Sequence, residues 1–108
     1  MLSANDVADF FLSPIDSEVD GDQITNLKLQ KLLYYAQGLS LAVLDRPIFQ
    51  EKIFHWEHGP VIDVIYHQYK TYQKVPLPPS YIEPNKYQND EKGQRVLIEK
   101  CQKSLSFL

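Results

Sequence analysis

The strongest constraint on the fold of this chain is the stretch from Asn26 to Leu44, nineteen residues without proline and with a start and a stop signal at its ends. Thr25 supplies a side-chain oxygen suited to capping a helix, and Ile24 and Leu29 occupy the two positions of a hydrophobic staple. Asp45, Arg46 and Pro47 then end the helix, because proline lacks an amide hydrogen and pushes its predecessor out of helical geometry. Leu29, Leu32, Leu33, Ala36 and Val43 form one apolar stripe. Leu27, Tyr34 and Leu41, spaced seven apart, form a second on nearly the opposite side. A helix apolar on two sides is expected to be enclosed by its neighbours. The polar gap that remains holds Lys28 and Lys31, with Tyr35 one turn further along.

The flanking sequence is punctuated in the same manner. Ser3 and Asp6 have capping-box spacing for a first helix from Leu2 to Leu12, with Val7, Phe10 and Phe11 on one face. Residues 13–21, rich in acids and carrying a proline and a glycine, predict a loop. Ile48 to Trp56 allows a short strand pair at most, and Gly59 with Pro60 predicts a sharp turn that opens a third helix reaching about Tyr72. Val61, Ile65, Tyr69 and Tyr72 would be its apolar face. The prolines at 76, 78, 79 and 84 predict an extended connection over 73–88. Asn89 or Asp90 can cap a last helix in which Leu97, Cys101, Leu105 and Leu108 repeat, with Ile98 alongside. The pattern runs to Leu108 without a closing signal, so further sequence or a partner is expected to cover that end. These elements predict a mainly α fold: a compact single-domain helical bundle around a central buried helix, with at most a short strand pair near residues 48–56.

Length and charge narrow the function. A chain of 108 residues has room for one core and little for an enclosed cleft. Fourteen acidic against eleven basic side chains give a net charge of −3, which disfavours a phosphate backbone even though Lys28, Lys31 and Lys70 accompany seven tyrosines. The lone Cys101 forms no internal disulfide and lies among apolar residues, so a core thiol in a reducing compartment is expected. With no signal segment and no apolar run of about 20 residues, a cytoplasmic protein is expected.

The candidate chemistry is thin. His55 and His58, three apart around Glu57, with His67 beyond, are the nearest approach to a metal site, but Gly59 and Pro60 interrupt any helix that would converge them. Local hydrogen bonding of surface histidines is the simpler reading, and no metal or cofactor is expected. A nucleophilic site would need Cys101 or a serine beside one of these histidines, and no local signature for one exists. A small enzyme using His55 and His58, or a nucleic-acid-binding regulator, therefore rank behind a protein-binding domain. The apolar surplus, including Phe49, Phe54 and Trp56, fits a partner surface, a tight core or a homodimer.

Three segments, ANDVADFFL from Ala4, ITNLKLQKLLYYAQG from Ile24 and FHWEHGPVIDVIYHQYK from Phe54, together resemble the Panacea antitoxin domain, a family also described as SocA-like or as phage-associated GepA-like proteins. The matching positions are Asn26 through Gly38, then Trp56, Gly59, Pro60 and Val61. The resemblance implies a helical domain of prokaryotic toxin-antitoxin or prophage modules that neutralises a nearby-encoded toxin by binding it without catalysis. Some relatives are thought to pass the toxin to a protease. Asn26, Leu29, Gln30, Leu32, Leu33, Tyr34, Ala36, Gly38, Gly59, Pro60 and Val61 are expected to be structural. Lys28, Lys31, Tyr35, Trp56 and His58 are the candidates for toxin contact. Family members usually continue into further helical sequence with a threonine-histidine pair and a later tryptophan; over residues 1–108 neither is present, so one domain without that segment is expected.

Overall fold

A computed structural model of the chain describes residues 1–13, 24–80 and 90–101. It is mostly helical with one short antiparallel hairpin. The elements are α1 (Ala4–Leu12), α2 (Asn26–Leu44), β1 (Ile53–Trp56), β2 (Gly59–Ile62), α3 (Asp63–Gln68), a 3-10 turn (Lys70–Tyr72), α4 (Glu91–Val96) and a π-helical turn (Leu97–Cys101). The expected loop at 13–21, the far end of the 73–88 connection, and Leu105 and Leu108 lie largely or wholly outside the described residues.

Local signals set the helix starts. Ser3 Oγ accepts from the Asp6 amide at 3.1 Å and Asp6 Oδ2 accepts from the Ser3 amide at 3.0 Å, which completes a capping box. Thr25 Oγ1 caps α2 by accepting from Lys28 N, and Asp90 caps α4 by accepting from Gly93 N. α2 ends at Asp45, which adopts the left-handed conformation at φ 58° that aspartate tolerates better than most residues.

α2 is the hub, touching α1, β2, α3, α4 and the π turn. Leu29, Leu32, Leu33 and Ala36 are fully buried against Val7, Phe11, Ile48, Phe49, Ile65 and Leu97. The second stripe is not enclosed. Leu27, Tyr34 and Leu41 are 43%, 48% and 50% exposed, and Val43, assigned by spacing to the first stripe, is 51% exposed. The contacts beside the buried stripe of α2 are polar. Gln30 Oε1 accepts from Ile62 N at 2.8 Å, and Gln30 Nε2 donates to Asn26 Oδ1 at 2.9 Å. Asn26 Nδ2 donates in turn to the Tyr66 carbonyl. Two turns on, Gln37 Oε1 accepts from the amides of Ile48 and Phe49 while its Nε2 donates to the Phe49 carbonyl. Ser40 Oγ donates to the Arg46 carbonyl at 2.7 Å. These side chains supply the partners that an irregular segment pressed on a helix cannot find in its own backbone. Among the described residues no buried side-chain nitrogen or oxygen lacks a partner.

Pro60 does not open the third helix. Gly59 to Ile62 is a strand, paired Ile53↔Ile62, Phe54↔Val61, His55↔Pro60 and Trp56↔Gly59, and α3 starts only at Asp63. Alternation along an antiparallel strand explains how proline is accommodated. Pro60 and Ile62 direct their backbone nitrogens to the same side, and that of Ile62 faces Gln30, not β1, so Pro60 sits where the ladder asks for no donor. The expected third helix is thereby shortened to Asp63–Gln68 and continued by the 3-10 turn, on which Tyr72 is exposed. Among the last apolar repeat, Leu97 and Cys101 are buried, whereas Ile98 is 47% exposed.

Candidate protein-binding surface

The hairpin projects aromatic side chains from a braced base. Its two-residue turn, Glu57 and His58, is closed by Gly59 at φ 122°, a conformation a β-carbon strongly disfavours. On β1, Phe54 and Trp56 share the face opposite Ile53 and are 44% and 41% exposed. Trp56 is held edge-on against Tyr66 of α3, with centroids 5.1 Å apart, and against His67 at 6.3 Å. Tyr66 and His67 are themselves 5.6 Å apart, and His67 Nε2 lies 3.0 Å from Asp63 Oδ1 one helical turn back. The result is a large, half-exposed ring held in place by its neighbours, which loses little conformational freedom when it is covered.

The candidate contact residues fall into two groups. Trp56 and His58 share the hairpin. Lys28, Lys31 and Tyr35 lie on α2, Lys31 exposed and the other two half-buried. On a helical wheel Lys28 and Tyr35 are turned roughly 150° from Gln30, the residue that holds β2. The fold therefore does not gather the five into one patch. Of the residues expected to be structural, Asn26, Leu29, Gln30, Leu32, Leu33, Ala36 and Val61 are buried and Gly59 and Pro60 are half-buried, while Tyr34 and Gly38 are exposed. Gly38 has no atom within 4 Å of where a β-carbon would project. Gln37 escaped the structural set, and its signal was only its place two turns after Gln30 on the same side of α2.

Among the described residues, the cysteine and the hairpin histidines stand apart. Cys101 is 1% exposed, and burial pushes its thiol up to about 12, far from a nucleophilic thiolate. His55 and His58 stand exposed on the hairpin. A groove of about 290 Å³ between the end of α2 and α4 is lined by Val43, Leu44, Lys92, Arg95, Val96 and Glu99, with no histidine or cysteine in it. Among the described residues no three His, Cys, Asp or Glu side chains group as metal ligands, and no helix is long and apolar enough to cross a membrane.

The family model for SocA-like antitoxins of the Panacea domain matches residues 29–106, and the chain belongs to this family. Antitoxin SocA of Caulobacter vibrioides is 46% identical over 43 residues, which make up 40% of this chain and 23% of that protein. The chain thus aligns with less than a quarter of the relative's length. No solved structure matches.

Proposed function

We propose that the protein is an antitoxin that neutralises a toxin encoded nearby by binding it directly, without chemistry, and that the hairpin carrying Phe54, Trp56 and His58 is the centre of the contact. Family membership over residues 29–106 is the observation that carries this reading. The half-exposed, braced Trp56 supports the placement, because rigid aromatic anchors with a polar rim dominate binding energies at protein interfaces.

Co-expression with the products of neighbouring genes tests the proposal. The toxin should co-purify with this chain and lose its toxicity. Trp56→Ala should weaken the complex by about 2 kcal/mol or more, the scale of an interface anchor, while leaving the far-ultraviolet circular dichroism unchanged. Failure of every neighbour to co-purify, or full protection by the Trp56→Ala variant, would reject it.

A further inference from the structure

The open face of α2 has an arrangement of charge and shape that a helix facing only water does not call for. Leu27, Tyr34 and Leu41 are 43%, 48% and 50% exposed on one stripe. Lys31 and Gly38 lie on the same stripe, and space above Gly38 is open. The charges oppose the helix dipole. The first turn carries Lys28 and no acid, the last turn carries no base, and Asp45 stands at the C-cap. Cations near the positive end and an anion at the negative end are each unfavourable in an isolated helix. Among the described residues neither Lys31 nor Asp45 has an ion-pair partner. The neighbouring Arg46 is committed to Asp90, at 2.7 Å.

An antiparallel copy of the same helix resolves each of these features. We infer that α2 is the self-association face of this protein, and that two copies pack antiparallel about a two-fold axis at Gly38. That axis sets Lys31 against Asp45 of the second copy, because each lies seven residues from Gly38. It also brings each helix's positive end beside the negative end of the other. Tyr34 lies beside Leu41 of the second copy, and Tyr35 beside its Ala42, on the two sides of the axis. Gly38 meets its own counterpart, and the missing β-carbons let the backbones approach closely enough for the flanking side chains to interlock. A single helix face buries less than a standard interface, so the dimer is expected at micromolar protein and not at nanomolar. It leaves the hairpin free.

The test uses the protein alone, without a toxin. In sedimentation equilibrium the mass should rise from monomer to dimer with concentration. Leu41→Glu should weaken the dimer at least tenfold, and Lys31→Glu several-fold with loss of the salt dependence, neither changing the helical spectrum. Gly38→Cys supplies an independent arm. With Cys101 buried, residue 38 is the accessible thiol among the described residues, and mild oxidation should link two copies rapidly. A Gln68→Cys control on exposed α3 should link slowly. A monomer at all concentrations into the submillimolar range, or crosslinking of Gly38→Cys no faster than the control, overturns the inference.

Discussion

Replacing Gln30 by leucine keeps the volume of the side chain and removes its two hydrogen-bonding functions, which isolates what the polar side of α2 contributes. Gln30 is 1% exposed, so water cannot substitute. The Ile62 amide loses its acceptor at 2.8 Å, and Asn26 Oδ1 loses its donor at 2.9 Å. Each buried group left unpaired costs about 1–3 kcal/mol, and the leucine regains part of that by being easier to desolvate, so a net loss of about 3 kcal/mol is expected. At roughly 4 °C per kcal/mol for a chain near this size, the melting temperature should fall by roughly 12 °C. Urea denaturation followed by circular dichroism measures the free energy, and hydrogen exchange localises it. Protection at the Ile62 amide should collapse before that of the α2 amides. A variant within 1 kcal/mol of the parent, or with Ile62 still protected, would refute the view that this glutamine fastens the hairpin to the helix.

Three other outcomes are expected. Burial raises the Asp90 carboxyl, but hydrogen bonds from Arg46 and the Gly93 amide, with the charges of Arg46 and the chain's amino terminus, outweigh it and hold the group below its usual 3.8. Its contribution is therefore complete above about pH 4 and disappears as pH falls through the lowered value, so Asp90→Asn should melt lower than the parent at neutral pH and the gap should close in acid. Gly59→Ala, at φ 122°, should cost about 1–3 kcal/mol in a melting experiment, with the hairpin amides the first to lose protection. Cys101, pushed up to about 12, should resist alkylation at pH 8 in the folded protein and react at once in denaturant.

The bounds of α2 were legible because Thr25 and the Asp45-Arg46-Pro47 stop act locally, whatever the rest of the chain does. The capping box at Ser3 and the cap at Asp90 were legible for the same reason. Spacing marked the Leu29, Leu32, Leu33 and Ala36 side as covered, and it is; what it failed to predict was which further side of α2 would be covered. Leu27, Tyr34 and Leu41 repeat as a buried stripe would, yet the further covered side is that of Asn26, Gln30 and Gln37, since the segments packed there bring unpaired amides and carbonyls that demand polar partners. Those amides belong to residues up to 32 positions away, and no local pattern encodes them. Pro60 misled in a related manner. Its missing donor suits a helix start and equally a strand position facing away from the ladder, and only the pairing with His55 decides between them. Of the contact candidates, Trp56 and His58 came from their place beside the turn, while their separation from Lys28 and Tyr35 depends on how the hairpin docks, a tertiary property.

The proposed neutralisation by occupancy is measured most directly by titrating toxin activity against added protein. Toxin activity should fall in proportion to added protein and vanish near one equivalent of binding sites, with the mass of each chain unaltered afterwards. Protection by a small fraction of an equivalent, or a covalently changed toxin, would contradict it and point to a catalyst.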